Sequence, residues 1–129
     1  MSGIWADDGR GRWRPMPAGR FADENELHDL VEQNPQMLPI AGRPALAILG
    51  REVRCGTGYA DLVAIETATG RPVVIEIKLA TNTDRRQVLT QVLGYAAYLR
   101  RLNVDGFADL LRPHLDKAGQ SSLTAAAAG

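Results

Sequence analysis

A chain of 129 residues, 45% hydrophobic and 23% charged, has the length and composition of one ordinary domain. Its 15 basic and 15 acidic residues cancel, so no global field draws it to a polyanion, and any such affinity has to come from local clusters. Cys55 is the single cysteine, which excludes an internal disulfide and an all-cysteine zinc site; beside Gly56, with no base in sequence reach, it reads as structural. No apolar run approaches ~18 residues and no leader pattern is visible, so the expectation is a soluble, cytoplasmic protein.

Residues 1–20 are rich in glycine, proline and arginine (Arg10, Arg12, Arg14, Arg20) and are expected to form an irregular, solvated arm. The domain proper is expected over 21–116. Asp23 followed by Glu26 has the spacing of a capping box, Leu27, Leu30 and Val31 recur at helical intervals, and Asn34-Pro35 stops the run, which predicts a helix over 24–33. A loop follows over 39–44, then a strand over 45–53 bent at Gly50. Gly56-Thr57-Gly58 reads as a turn, too short for a nucleotide-binding loop and not followed by a helix. The run 59–66 is apolar on both faces except for Asp61, as in a central strand, and a turn at 67–71 joins it to a second run, 73–79, as a hairpin.

The longest helical pattern spans 84–102, with Val88, Leu89, Val92, Leu93, Ala96, Tyr98 and Leu99 in step. A short helix over 107–115 and an alanine-rich tail, 117–129, complete the order, and the tail reads as a truncation point. His28 and His114 have no second ligand at metal spacing and are expected at the surface.

Chemistry concentrates in Val73-Val74-Ile75-Glu76-Ile77-Lys78-Leu79. Alternation along a strand puts Ile75 and Ile77 on one face and Glu76 and Lys78 on the other. Charges in the middle of an apolar strand cost several kcal/mol each (roughly) unless paired or bound to metal. Hairpin pairing through the 67–71 turn sets Asp61 almost opposite Glu76. Two carboxylates so placed repel, which favours a cation between them, and oxygen donors select Mg²⁺ first and Mn²⁺ second. The Ile77 carbonyl, between Glu76 and Lys78, is a further candidate ligand. Lys78 is placed to orient or deprotonate an attacking water and to offset negative charge developing on a phosphate. On the long helix Gln87, Gln91 and Tyr95 recur every fourth residue, with Arg85 and Arg86 near its start. Such a ridge suits contact with a phosphate backbone.

The ordered set Gly58-Tyr59-Ala60-Asp61, Glu76-Ile77-Lys78 and Gln91 four before Tyr95 resembles the PD-(D/E)XK nuclease superfamily. The Gln/Tyr helix resembles its RecB-like branch, and the segment from Glu24 through Leu27 to Asn34-Pro35 resembles the opening helix of NucS-like endonucleases. The resemblance covers roughly residues 22–102. It implies a restriction-endonuclease-like α/β (α+β) fold, with a central mixed sheet flanked by helices in the order α-β-β-β-α. It also implies Mg²⁺-dependent hydrolysis of phosphodiester bonds in DNA, RNA not being excluded. Asp61 and Glu76 match the metal ligands, Lys78 the catalytic lysine, and Gln91 and Tyr95 the auxiliary pair. The family's first-helix glutamate falls on Glu24 or Glu26. Glu24, on the face of Leu27 and Val31, is preferred, Glu26 being explained as a cap. The family's strand after the long helix has no counterpart beyond Leu102, so a homodimer or a longer parent chain is expected to complete the sheet.

Two readings from other classes compete. A nucleic-acid-binding module that keeps the fold without turnover would bind DNA with no metal requirement. A protein-interaction domain using the open sheet edge would dimerise with no affinity for DNA.

Overall fold

The computed structural model describes residues 4–7, 13–16, 24–78 and 85–128. The expected cap at Asp23, the strand end at Leu79, the helix start at Asp84, and Arg10, Arg12 and Arg20 lie outside these residues. In chain order the elements are β1 (Ile4–Asp7), β2 (Trp13–Met16), α1 (Glu24–Gln33), β3 (Leu46–Cys55), β4 (Gly58–Glu66), β5 (Pro72–Ile75), α2 (Arg85–Arg100), α3 (Val104–Lys117) and α4 (Leu123–Ala128). A 3-10 turn, Pro35–Met37, follows α1 directly, because Pro35 has no N–H with which to continue the helix.

The β3–β4–β5 sheet is antiparallel throughout, with β4 in the middle. This corrects the expected mixed sheet. Its strands are consecutive and joined by tight turns at Gly56-Thr57 and Thr67–Gly70, and a parallel pair needs a crossover of a dozen or so residues (roughly) that the chain does not supply here. Gly70, at φ 73°, takes the left-handed position of the second turn. β4 is apolar on both faces because both are covered. Leu62 and Ala64 pack with Ile75, Ile77 and Leu27 of α1. Val63 packs with Leu49 and Val53 of β3, Leu99 of α2, and Phe107, Leu111 and Leu115 of α3.

The chain thus forms α1, sheet, then α2 and α3, an α+β arrangement in three layers. No strand follows α2 among the described residues. Among the described residues no helix is long and apolar enough to cross a membrane.

Several expectations change. The N-terminal arm, read as irregular, contains the antiparallel β1–β2 pair. Four-residue strands are too short for periodicity to reveal, and Pro15 within β2 masks the second. The tail carries α4, whose Leu123 and Ala126 pack on the core; Ser122 caps it by accepting the Ala125 N–H at 3.1 Å. α3 starts three residues earlier than the apolar spacing shows, because the Asn103 side chain caps it through the Gly106 N–H at 2.7 Å. Leu89 and Leu93, in step with the apolar spacing of α2, are 58% and 60% exposed. Leu99 is buried in the core, and Tyr95 and Tyr98 pack against it.

α1 is fixed to β3 by Arg51, which donates to Asp29 and, at 3.2 Å, to Glu32. Exposed pairs of this kind contribute about 0–1 kcal/mol, but carboxylates one turn apart set the rotation of α1 against the sheet.

On the other side α3 approaches β3 at Gly50, where the pairing register with β4 shifts. A β-carbon there would lie 2.8 Å from Val53 Cγ2 and 2.9 Å from His114 Cγ. His114 is accordingly half-buried, not on the surface as expected. Gly50→Ala is expected to lower the unfolding free energy by about 1–3 kcal/mol, the cost typical of overpacking. Chemical denaturation measures it; an unchanged midpoint would contradict this close approach.

Candidate active site

Pairing between β4 and β5 ends at Leu62 opposite Ile75, so the next residues along, Asp61 and Glu76, face each other as expected. Here the ladder stops and side chains take over. Glu76 Oε1 accepts the Asp61 N–H at 2.9 Å, and Asp61 Oδ2 accepts the Ile77 N–H at 2.8 Å. This reciprocal clamp shortens the expected strand, since Ile77 spends its N–H on a carboxylate and not on a main-chain carbonyl. β5 therefore ends at Ile75, not Leu79.

Asp61 has a second irregular neighbour. On β3 the residue between the pairs Arg51–Leu62 and Val53–Ala60 is Glu52, which holds a left-handed φ of 55°. A non-glycine residue there costs roughly 1 kcal/mol, and such irregularities re-aim side chains near functional sites. Asp61 thus sits where the sheet is broken on both sides.

Burial pushes the Glu76 carboxyl above its ordinary value of 4.5; the Asp61 N–H pulls it back, the Asp61 charge raises it again, and Lys78 lowers it. The two carboxyls lie within hydrogen-bonding reach of each other, and Lys78 is close enough to favour the ionised form. Ile77, expected to offer its carbonyl, reaches the site through its N–H, while its side chain is buried under α1. Glu76 and Lys78 also line one end of an apolar pocket of about 270 Å³ between α1, the 3-10 turn and residues 75–78.

Tyr95 comes to this end of the sheet from α2. Its hydroxyl meets the Tyr59 amide, and burial, then the charges of Glu76 and Asp61, raise its pKa. It fits because residue 58 is glycine: a β-carbon there would lie 2.5 Å from the Tyr95 hydroxyl. Tyr95 is therefore a packed residue beside the carboxylates and not part of a solvated ridge.

The sequence missed His28. It is 6% exposed, with Nε2 3.6 Å from Asp61 Oδ2, which is beyond hydrogen-bond length, and neither ring nitrogen has a partner among the described residues. A buried, unsatisfied imidazole facing a carboxylate calls for a bridging water or ion. The signal was available, since His28 directly follows Leu27 on a helix whose apolar stripe is Leu27 and Val31. A histidine bordering that stripe faces the sheet, whatever its distance from other ligands in sequence.

Glu24 opens α1 half-buried, one turn before His28, while Glu26 is exposed. Gln91 is half-buried on α2, and Gln87 and Arg86 are exposed. Arg85 begins α2; its side chain lies outside the description. Among the described residues no group of three or more His, Cys, Asp or Glu side chains converges closely enough to hold a metal ion, so neither Glu24 nor His28 completes a cage with the Asp61–Glu76 pair. Cys55 is buried in the core, as expected of a structural residue.

Because folding raises the Glu76 pKa, it favours the protonated carboxyl. The resulting cost is absent below the unfolded-state value near 4.5 and complete once pH exceeds the folded-state value. Glu76→Gln keeps an oxygen for the Asp61 N–H but cannot ionise. In EDTA it is expected to melt above wild type near neutral pH, with the advantage vanishing as pH falls below about 4.5. Thermal melts across pH read this directly; a constant difference would place the effect outside Glu76 ionisation.

Comparison with known protein families, curated proteins and solved structures finds no match to this chain.

Proposed function

We propose that this chain is a metal-dependent nuclease, most simply an endonuclease, hydrolysing phosphodiester bonds in DNA within a restriction-endonuclease-like fold. One observation carries the reading: an acidic pair, Asp61 and Glu76, locked together by reciprocal main-chain hydrogen bonds with Lys78 beside it. The clamp brings two carboxylate side chains together at a break in the sheet, where oxygen donors for a cation are needed.

The donor set fits Mg²⁺, with Mn²⁺ as its substitute. Mg²⁺ is commonly held by one or two carboxylates together with waters and substrate phosphates, so a protein cage of three ligands is not required. Asp61 and Glu76 would hold it, with the Ile77 carbonyl as a further ligand. When bound, the ion supplies charge neutralisation at the scissile phosphate and a lowered water pKa. The chain's own residues do the rest. Lys78 orients the attacking water and offsets charge on the phosphate oxygens. His28 faces Asp61 from α1 at 3.6 Å, a gap that a bridging water or ion would span. Tyr95 walls the carboxylates from the α2 side, and Arg85, Arg86, Gln87 and Gln91 offer donors to the nucleic acid backbone.

The missing third ligand among the described residues favours one other reading, a nucleic-acid-binding module without turnover. Cleavage of single- and double-stranded DNA in Mg²⁺, Mn²⁺ or EDTA separates the two. The nuclease reading expects cutting in both metals, none in EDTA, and a loss of at least a thousandfold (roughly, as for a lost charge-stabilising group) in Lys78→Ala with an unchanged melting temperature. Undiminished cutting by Lys78→Ala contradicts it. Binding that EDTA leaves intact, with no cutting under any condition, supports the module.

A further inference from the structure

One side of α2 is left uncovered among the described residues. Arg86, Leu89, Leu93, Ala96 and Arg100 are all exposed, and they recur at alternating steps of three and four residues. That alternation keeps them in one line down the helix, the spacing at which a second helix packs along a seam. Leu89 and Leu93 are two of the four large hydrophobic residues exposed among the described residues, and they lie one turn apart. Apolar residues scattered singly over a surface need no explanation, but two in line at the centre of a helix do. The opposite side of α2 is already engaged, with Leu99 in the core and Tyr95 and Tyr98 against it.

Charge selects the occupant. Arg86 and Arg100 close the seam at its two ends, exposed Arg101 follows, and α2 contains no acidic residue. Neither Arg86 nor Arg100 is in an ion pair among the described residues. Two copies joined symmetrically through this seam would set arginine against arginine in either direction: Arg86 against Arg100 when antiparallel, like against like when parallel. Carboxylate-rich α1 of another copy fits no better. Its Asp29 and Glu32 are held by Arg51, and it exposes no large hydrophobic residue. A polynucleotide would find arginines at the ends but apolar side chains between them, where its phosphates have no partner. A bilayer surface takes up a broad apolar face, and that of α2 is the one already packed on the sheet.

We propose that this seam docks an acidic amphipathic helix of a partner protein, its apolar residues on Leu89 and Leu93 and its carboxylates on Arg86 and Arg100. Ala96 is small, which lets the two helices approach closely. The inference stands apart from the nuclease reading, with which it shares only Arg86.

The test is equilibrium binding of two synthetic helical peptides with leucines at the same three-four spacing, one carrying glutamates at both ends and the other lysines. Charges at both ends face the arginines whichever way the peptide lies. Wild type is expected to bind the glutamate peptide at least tenfold more tightly than the lysine peptide. Leu89→Gln and Leu93→Gln are each expected to weaken that binding tenfold or more, and to melt as wild type does because both side chains are exposed. Arg86→Glu combined with Arg100→Glu is expected to reverse the preference, which a disrupted fold could not do. Failure of wild type to bind the glutamate peptide, equal affinity for both peptides, or binding that the leucine variants leave unchanged overturns the proposal. Self-association of wild type that Leu93→Gln abolishes also overturns it, and gives the seam to a second copy. Binding to phosphatidylglycerol vesicles that both leucine variants lose overturns it in favour of a membrane surface.

Discussion

Between Leu62–Ile75 and the residues that follow, the sheet changes what holds it together. Main-chain groups pair as far as Ile75; beyond it the Asp61 and Glu76 carboxylates occupy the hydrogen-bonding positions. The rest of the site depends on this exchange. A carboxylate that accepts a main-chain N–H is fixed in position far more closely than one on a free rotamer, and each of these two is held by the other's strand. The exchange also ends β5 early, leaving Ile77 and Lys78 beside Asp61 and not in register along a longer ladder. On β3 the left-handed Glu52 breaks the other side of the same position.

The surrounding layers serve that break. α1 is keyed to β3 through Arg51 with Asp29 and Glu32, and buried on Leu27, and that rotation turns His28 toward Asp61. From the opposite layer, Gly58 leaves the space that Tyr95 occupies. The carboxyl pair is therefore enclosed by one buried imidazole and one partly buried phenol, both on helices anchored by ordinary apolar packing. Limited solvation raises the Glu76 pKa, and the same limited solvation would strengthen its attraction for a cation.

Much of this was legible in the sequence. The stop at Asn34-Pro35 and the apolar spacing define α1, whose span matches the expectation residue for residue. The hairpin register followed from the position of its turn, and so did the meeting of Asp61 with Glu76. What escaped has physical causes. Alternation assumes a regular strand, and it could not foresee that Asp61 would capture the Ile77 N–H and end β5. Helical spacing marks apolar residues but not which of two adjacent stripes is covered, so it does not reveal that Leu89 and Leu93 are exposed while Tyr95, read on a polar face, is packed. His28 was judged by its distance from other ligands in sequence, whereas the contact with Asp61 spans two elements.

The central claim is that the clamped pair is a divalent-cation site. Titration calorimetry of Mn²⁺ into the metal-free chain and into Asp61→Asn tests it without reference to any substrate. Asparagine keeps an oxygen for the Ile77 N–H, so the fold is preserved while one ligand charge is removed. The account predicts one ion per wild-type chain, and affinity at least tenfold weaker in Asp61→Asn, a difference of about 1.4 kcal/mol or more. Absence of binding to wild type, or equal binding to both, would contradict it.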